Sequence, residues 1–425
     1  MRILIVGSGG REHAIAWAFA RSPRVSRIYN ASSNAGIRRL ADPVDANPAD
    51  IEALAEFASR EKIDLTFVGP EQPLVDGIAD HFAARGLAVF GPSAAAARLE
   101  GSKIFSKEFM QRHDIPTARY RIARTAEDAR SVIDDGTFGF PVVIKADGLA
   151  AGKGVVIATG KDQALSAIET LMVRRTLGNA GDHIVIEECL EGREVSYLVF
   201  ADGRTYAPLA VAQDHKRVFD MDQGPNTGGM GAFSRPGLLD DRTEARIRTQ
   251  IVEPSLEGAR QDGMPFRGVL YFGLMLTANG PSVLEYNVRF GDPETQALVR
   301  RLETDFAEIS LALAQEELER VNIVWNSDSA AAIVMASSGY PGNFEAGKVI
   351  TGIDEAERIE GVVVFQAGTA RNQTGDVLTA GGRVLAVTAT GATLDEATDR
   401  AYDAVERIHF NGMHFRRDIG RKTRL

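Results

Sequence analysis

Short apolar runs that end in glycine recur along the first part of the chain. Residues 2–6, 65–68 and 87–90 are apolar except for Arg2 and Thr66, and a glycine follows each run. Apolar positions between these runs have helical spacing, as at residues 14, 15, 18 and 19. This alternation predicts a parallel, doubly wound α/β sheet with the glycine turns at the carboxyl ends of its strands.

A helix predicted at residues 93–112 leads out of this first part, and the pattern then changes. Apolar strands are predicted at residues 142–145 and 183–187, on either side of a helix at 161–173. Beyond residue 193 most segments are extended, and a helix at 394–408 closes the chain. We expect a multidomain α/β and α+β protein divided into residues 1–118, 119–192, 193–325 and 326–425.

Composition and charge narrow the class of protein. The chain has 425 residues, a formal net charge of −10 and a single cysteine, Cys189, so no intrachain disulfide can form. An acidic chain is poorly suited to the phosphate backbone of nucleic acid. No apolar run approaches the ~20 residues of a membrane span. The apolar run at the start, MRILIVGSGG, is too short and too interrupted by glycine for a signal peptide. We expect a cytoplasmic monomer that binds neither nucleic acid nor membrane.

The first glycine turn, GSGGREHA, follows a strand and opens a helix. Backbone N–H groups at a helix start bind anions, which predicts an anion cradle. Glu12 stands where the dinucleotide-binding pattern has its third glycine, and this disfavours a nicotinamide cofactor. A tight turn without any ligand explains the same residues equally well.

A second glycine-rich segment is VVIKADGLAAGKGVV, at residues 142–156. Lys145 closes an apolar strand, where its charge needs a partner. The glycines that follow let the backbone approach phosphate oxygens. The segment favours a phosphate site over an exposed hairpin loop, although it lacks the Gly-Lys-Ser/Thr of a Walker A loop.

Three further polar segments are candidates for ligand contacts. Residues 184–194, IVIEECLEGRE, place acids after an apolar strand, where an adenine and a ribose can bind, although a charged strand end is common without that role. Residues 213–217, QDHKR, and 224–231, GPNTGGMG, combine both charges with glycines. That combination suits a zwitterion and an anion, and a polar surface loop is the alternative.

The segment LEYNVRFGDPET, at residues 284–295, predicts a metal site. Alternate side chains of a strand share a face, so Glu285, Asn287 and Arg289 are expected to point the same way. A carboxylate and an amide oxygen are hard ligands for Mg²⁺, and an arginine can neutralise charge on a transferred phosphoryl group. The alternative is a solvated strand face with a Glu–Arg pair. No histidine pair has zinc-ligand spacing.

Together these motifs resemble those of the glycinamide ribonucleotide synthetase family of ATP-grasp ligases. The resemblance extends from GSGGREHA to the final RRDIG, and its most specific segments are QDHKRV, GPNTGGMG and RFGDPETQ. It implies an ATP-grasp fold with an N-terminal parallel α/β domain, a mobile lid, a central α+β domain and a C-terminal domain. It also implies a carbon–nitrogen ligase of purine biosynthesis that joins glycine to 5-phosphoribosylamine, using ATP and Mg²⁺ or Mn²⁺.

The resemblance further implies roles for individual residues. Those implied for ATP are Lys103, Lys145, Gly148, Gly152, Lys153, Gly154, Glu187, Leu190 and Glu194. Those implied for the metal ion are Glu285 and Asn287. Those implied for glycine and 5-phosphoribosylamine are Gly9, Gly10, Glu71, Asp214, His215, Lys216, Arg217, Arg289, Asp292 and Pro293. The expected catalytic residues are Arg289, Lys145 and Asp214.

The sequence departs from the family pattern in three places. Gln366 replaces the histidine of an FHAGT motif, RVFDMDQ varies a more Gly- and Asp-rich approach to GPNTGG, and YFGLML offers no obvious third acidic metal ligand. Another ATP-grasp carboxylate–amine ligase or carboxylase is the nearest alternative. An NAD oxidoreductase is suggested by the first glycine turn alone, and a non-catalytic nucleotide sensor is the third alternative.

Overall fold

The first unit is the parallel sheet that the sequence predicts. The computed structural model of the protein describes residues 1–150 and 154–421. The elements of this unit are β1 (Arg2–Val6), α1 (Gly10–Ala20), β2 (Arg27–Ala31), β3 (Asp42–Val44), α2 (Ile51–Arg60), β4 (Leu65–Val68), α3 (Glu71–Val75), α4 (Ile78–Ala83) and β5 (Val89–Phe90). The strand order is β3-β2-β1-β4-β5, with every pair parallel. Since β1 and β4 are neighbours, the glycine turns that follow them lie side by side.

Two helices lead out of this sheet, where the sequence suggests a single one. They are α5 (Ala94–Gly101) and α6 (Lys103–Arg112). Ser102 separates them because its backbone is extended, and its side chain accepts a hydrogen bond from the N–H of Phe105 to cap α6. The Ser102 hydroxyl also donates to Asp147 (2.9 Å). The break therefore places Lys103 at a helix start that contacts the second unit.

The second unit is a small antiparallel sheet with two helices. Its elements are β6 (Tyr120–Ala123), α7 (Ala126–Asp134), β7 (Val142–Ala146), β8 (Val155–Ala158), α8 (Lys161–Ile168), continued by a π turn at Glu169–Val173, and β9 (Ile184–Glu188). The order β6-β9-β7-β8 makes β7 and β9 neighbours. Their inward faces pack Ile144, Ile184 and Ile186 against Ile168 of α8. The antiparallel register sets Lys145 opposite Val185 and Glu187 opposite Val143, so the two charged side chains are diagonal neighbours on the other face of the sheet.

The rest of the chain is built around one large antiparallel sheet. Its elements in chain order are β10 (Arg193–Asp202), β11 (Tyr206–Pro208), β12 (Ala212–Asp214), β13 (Arg217–Phe219), β14 (Gln223–Asn226), β15 (Gly231–Ser234), α9 (Asp241–Ile247), α10 (Glu253–Gln261), β16 (Arg267–Thr277), β17 (Gly280–Asn287), α11 (Glu294–Leu298), α12 (Phe306–Ala314), β18 (Ser329–Ala336), α13 (Ile353–Glu357), β19 (Val362–Gln366), β20 (Thr369–Arg371), β21 (Val377–Thr379), β22 (Arg383–Gly391) and α14 (Leu394–Val405).

This sheet crosses the position where the sequence suggests a boundary between two domains. Its order is β17-β16-β10-β12-β15-β18-β22-β19, with β11 beside β10 and separate hairpins β13–β14 and β20–β21. The step from β15 to β18 pairs Ala232 with Ala332, so the central and C-terminal parts share backbone hydrogen bonds. The division into four domains stays a prediction. Among the helices of the described residues, none is both long and apolar enough to cross a bilayer.

Candidate active site

A buried carboxylate lies between two lysines on the face of the small sheet that is opposite to Ile144 and Ile186. Lys107 of α6 donates to Glu187 Oε2 (2.5 Å) and to the hydroxyl of Thr117 (2.8 Å). Lys145 of β7 forms an ion pair with the other oxygen of Glu187 and donates to the carbonyl of Leu284 (2.9 Å). The side chains of the three charged residues are almost wholly inaccessible to solvent. The lysine that closes the apolar strand therefore has the charged partner that its burial requires.

Burial and charge act against each other in this cluster. Burial by itself raises the pKa of the Glu187 carboxyl, but Lys145 and Lys107 outweigh it and hold that pKa below its ordinary value. Burial lowers the pKa of Lys107 to about 8, despite the attraction of Glu187, and Lys145 adds repulsion. A second anion close to Lys145 would relieve this excess of positive charge.

A second carboxylate, Glu285 of β17, is surrounded by cations from three parts of the chain. Lys216 lies 3.4 Å from Glu285 Oε1 and 2.5 Å from Glu194 Oε1. Burial raises the pKa of Glu285, but Lys216, Lys103 and Lys145 together lower it to about 2. Glu285 is therefore ionised at neutral pH. The predicted phosphate lysines and one predicted metal ligand thus come together, although they lie far apart in sequence.

Exposure alternates along the end of β17, as the sequence predicts. Glu285, Asn287 and Arg289 are half-buried, while the residues between them are buried. The strand itself ends at Asn287, and Arg289 lies beyond it. Its guanidinium forms ion pairs with Glu71 (3.1 Å) and Glu100 (2.8 Å). Arg289 is therefore held from the first unit, at the glycine turn that follows β4.

The first glycine turn contains its own carboxylate. The N–H of Gly9 donates to Glu12 Oε2 (2.5 Å), and Glu12 also accepts from Arg11 (2.8 Å). Arg11 reaches Glu71 as well (3.2 Å). A Cβ on Gly69 would lie 2.0 Å from Glu12, so this carboxylate fills the space beside both glycine turns. In this arrangement, the Gly9 donor of the predicted anion cradle is occupied by the chain itself.

The QDHKR segment separates into side chains with different surroundings. Asp214 accepts from the N–H of His215 (2.6 Å), and burial together with Glu294 raises its pKa well above the ordinary value. The His215 ring is buried against Phe233. Arg217 donates to the carbonyl of Gly224 (2.7 Å) and closes the β13–β14 hairpin. Asp214 and Lys216 therefore face the charged cluster, while Arg217 stabilises the loop.

The GPNTGGMG turn closes against the start of α11. Gly229 has φ +109°, and a Cβ there would lie 2.4 Å from Pro293 and 2.9 Å from Asp214, so only glycine fits. Arg383 of β22 donates to the carbonyl of Asp292 (2.7 Å) and lies 3.3 Å from its carboxylate. Burial raises the pKa of Asp292, but Arg383 and Arg11 outweigh it and lower that pKa. The C-terminal part of the chain thus contributes a cation to this region.

The glycines of the predicted lid loop are only partly described. Gly148 has φ +134°, and a Cβ there would lie 3.0 Å from Ala180. Gly154 approaches Ala150, where an added Cβ would lie 2.8 Å from its side chain. Gly152 and Lys153 lie outside the described residues. Leu190 is half-buried in the loop between β9 and β10.

Several functional candidates escape the sequence reading. Lys107, Glu100, Arg11 and Arg383 each contact a predicted site residue, yet none is predicted from the sequence. Arg11 stands in the GSGGREHA motif, so motif membership is a signal that could have found it. The partners of all four residues are distant in sequence, and local periodicity does not show such pairs.

The site has oxygen donors for a divalent cation. Within residues 1–150 and 154–421, no group of three or more His, Cys, Asp and Glu side chains is arranged to hold a metal ion by itself. Glu285 is ionised, Asn287 adds an amide, and Glu194 lies on the other side of Lys216. Two protein oxygens fit Mg²⁺, which usually completes its shell with water and substrate phosphates. The donor set is unsuited to zinc.

Comparison with known proteins gives consistent matches along the chain. The phosphoribosylglycinamide synthetase N domain matches residues 1–100, its ATP-grasp (A) domain residues 101–295 and its C domain residues 330–422. A phosphoribosylamine–glycine ligase from Vibrio parahaemolyticus is 46% identical over 423 residues, which cover 99% of this chain and 98% of the relative. A crystal structure of phosphoribosylamine–glycine ligase from Thermotoga maritima is similar with a TM-score of 0.84 and 36% identity, covering 99% and 100% of the two chains.

A carboxylase is similar in fold alone. The biotin carboxylase domain of a Hydrogenobacter thermophilus 2-oxoglutarate carboxylase, solved in complex with MgADP, has a TM-score of 0.73 and 17% identity, covering 97% of this chain and 91% of that one. Sequence identity this low supports a shared fold but not a shared substrate.

Proposed function

The chain belongs to the phosphoribosylglycinamide synthetase family of ATP-grasp enzymes, and from this premise we propose that ATP binds where Lys103, Lys145 and Glu285 face one another. The protein is an ATP-dependent ligase that joins glycine to 5-phosphoribosylamine in de novo purine biosynthesis. The observation that carries the site assignment is the convergence of three lysines on Glu285, which lowers its pKa to about 2. The family excludes the NAD oxidoreductase and the nucleotide sensor as alternatives.

The lysine cluster suggests how the nucleotide phosphates are held. Lys145 is paired with Glu187, and a phosphate must compete with that carboxylate for it. Lys107 keeps its own bond to Glu187 (2.5 Å), so Glu187 stays neutralised when Lys145 turns to the phosphate. Lys103, at the start of α6, adds a charge and the positive end of a helix dipole. Gly148, Gly152, Lys153 and Gly154 belong to the same proposal as the loop that covers the phosphates.

Glu285 and Asn287 are assigned to the divalent cation, Mg²⁺ or Mn²⁺. When bound, this ion neutralises charge on the phosphates. Lys216 lies beside Glu285 and lowers the pKa of its carboxyl, so this proposed ligand is ionised at neutral pH. Glu187, Leu190 and Glu194 are proposed for the adenine and ribose side of the site.

The chemistry follows in two steps. The glycine carboxylate attacks the γ-phosphorus, the bond to the bridging oxygen breaks, and glycyl phosphate and ADP form. The amine of 5-phosphoribosylamine then attacks the acyl carbon, phosphate leaves, and the amine gives up a proton. We assign the neutralisation of the oxyanion in this second step to Arg289, whose guanidinium forms ion pairs with Glu71 and Glu100. Asp214, whose pKa is raised, is the proposed proton acceptor.

The acceptor side is proposed at the two glycine turns and the GPNTGGMG loop. Gly9, Gly10, Glu71, Asp292 and Pro293 border this region. The cations that line it are Arg11, Arg289 and Arg383. His215 and Arg217 belong to it through the loop that they stabilise. A cytoplasmic monomer that binds neither nucleic acid nor membrane completes the proposal, and the net charge of −10 supports the absence of a nucleic-acid partner.

A phosphate-release assay tests the reaction. ATP, Mg²⁺, glycine and freshly made 5-phosphoribosylamine are combined, and each is omitted in turn. We expect phosphate release only with all four, and no release when bicarbonate replaces glycine. Release with bicarbonate would instead support the carboxylase alternative.

A pair of lysine variants tests the site. Lys145→Met should abolish turnover while the fold is kept, because Met keeps the length of the side chain but removes its charge. The matched control is Lys161→Met, which removes an exposed lysine paired with Asp134 in the same small unit. Equal activity of the two variants would contradict the assignment of Lys145.

A further inference from the structure

The hairpin between the two substrate-side motifs carries a strained loop. It joins Lys216 to the GPNTGGMG turn through β13 and β14. Met221 and Asp222, neither of them glycine, have φ values of +55° and +54°. Residues with a Cβ rarely adopt this left-handed backbone conformation, and two consecutive residues in it require stabilising contacts from another segment.

That support comes from the C-terminal segment, residues 414–418, about two hundred positions later in sequence. His414 Nε2 lies 2.8 Å from the carbonyl of Val218, and Arg416 donates to the carbonyl of Arg217 (3.0 Å). Asp418 accepts from the N–H of Met221 (2.9 Å). These bonds run along the hairpin strand and into the strained loop.

Side-chain carboxylates of the loop complete the attachment. Arg416 donates to Asp222 Oδ1 (2.9 Å), and the N–H of Arg417 donates to Asp220 Oδ1 (2.7 Å). Arg416 is also held by both oxygens of Asp418 (2.7 and 2.6 Å), and the side chains of both residues are fully buried. A buried, doubly bonded guanidinium is a rigid support, since moving it would leave a charge without a partner.

The loop is connected to the active site at both of its ends. Before it, Lys216 pairs with Glu194 and Glu285. After it, Thr227 donates from its N–H (2.7 Å) and its hydroxyl (2.9 Å) to the carbonyl of Lys216, and that hydroxyl accepts from the N–H of Gly229 (3.0 Å). A displacement of the loop therefore moves both the lysine and the glycine turn beside Asp214.

We propose that the C-terminal segment 414–418 positions the acceptor side of the active site, with Arg416 acting through Asp222 as a positioning residue. This inference rests on the proposed function. It assigns to the end of the chain a role in substrate affinity and not only in stability. Lys103 and Lys145, which are proposed for ATP, lie on α6 and β7, so the segment acts on the loop and not on them.

Three substitutions of one exposed residue test this proposal. Asp222→Ala removes the acceptor of Arg416, Asp222→Gly removes it but tolerates the positive φ, and Asp222→Asn keeps an acceptor oxygen and tolerates the positive φ. The KM of each substrate, kcat and thermal unfolding are measured for the full chain. We expect the Ala and Gly variants to raise the KM for 5-phosphoribosylamine by about tenfold, as a small misplacement of a site does. The KM for ATP should rise by a smaller factor, because the loop reaches the ATP side only through Lys216 and its partners Glu194 and Glu285, and Asn should restore the wild-type values.

The matched control is Asp399→Ala, which removes an exposed partner of Arg421 in the same C-terminal part. A purely structural role would lower the unfolding temperature and leave every KM unchanged, and that result would overturn the proposal. Recovery in the Gly variant would also overturn it, because strain and not the arginine contact would then decide. The wild-type assay with glycine reports the function independently, so the two failures are distinguishable.

Discussion

Lys107 offers the sharpest test of how the phosphate site works. It is buried and bonds Glu187 at 2.5 Å, and Lys145 holds the other oxygen of the same carboxylate. When ATP draws Lys145 away, Lys107 alone neutralises Glu187. In Lys107→Met, releasing Lys145 would leave a buried carboxylate without a cation. Breaking such a pair costs about 3–5 kcal/mol.

The expected size of the effect follows from that cost. A tenfold change in affinity corresponds to about 1.4 kcal/mol, so the Kd for MgATP should rise about a hundredfold or more. The free protein should be little affected, because Lys145 still pairs with Glu187 and the repulsion between two lysines is removed.

Titration calorimetry with MgATP measures the Kd, and thermal unfolding reports the fold. The double variant Lys107→Met with Glu187→Gln should recover about tenfold or more of the loss, because no carboxylate then competes for Lys145. Lys161→Met is again the matched surface control. Wild-type affinity in Lys107→Met, or a double variant weaker than the single one, would refute the exchange of partners.

Three further outcomes are expected. Glu285→Gln should raise the Mg²⁺ concentration needed for half-maximal phosphate release by about a hundredfold, since an ionised ligand becomes neutral, and an unchanged metal titration would contradict the ligand assignment. Gly229→Ala should lower the free energy of unfolding in urea by more than about 3 kcal/mol and abolish turnover. The control Gly237→Ala, also at positive φ but with open space around it, should lower the free energy of unfolding by about 1 kcal/mol and keep activity. Burial raises the pKa of Glu71, but Arg289 and a second arginine lower it to about 2, so the folded state binds its proton less readily than the unfolded state. This stabilisation, about 3 kcal/mol, is present above pH ~4.5 and is lost as pH falls towards 2, so Glu71→Gln should flatten the acid limb of a urea-unfolding profile.

Local patterns in the sequence predicted the first unit well. An apolar run closed by glycine and followed by helical spacing has one simple solution, the parallel strand order that the structure shows. The sequence also predicted that Lys145, at the end of VVIK, has a partner, because a charge on a buried strand needs one. It did not predict which residue this is, since Glu187 lies on a neighbouring strand. Lys107, which also pairs with Glu187, lies on a helix outside that sheet.

The helix breaks show the same limit on a smaller scale. The pattern of residues 93–112 predicts one helix, but the side chain of Ser102 caps the next helix and donates a hydrogen bond to Asp147. A serine at this position is compatible with either outcome, and the contact across units decides between them. The single helix was therefore wrong, while its two halves fall where the pattern placed them.

The kinds of element, the glycine turns and the family motifs follow from local sequence, because they depend on residues within a few positions of one another. The charged contacts follow from the folded chain instead: Glu285 meets lysines from three segments, Arg289 meets Glu71 and Glu100, and Arg416 meets a loop that precedes it by almost two hundred residues. They cannot be deduced locally, because the free energy of a buried charge depends on what lies within a few ångströms of it in space. Periodicity along the chain reports only which face of an element is covered.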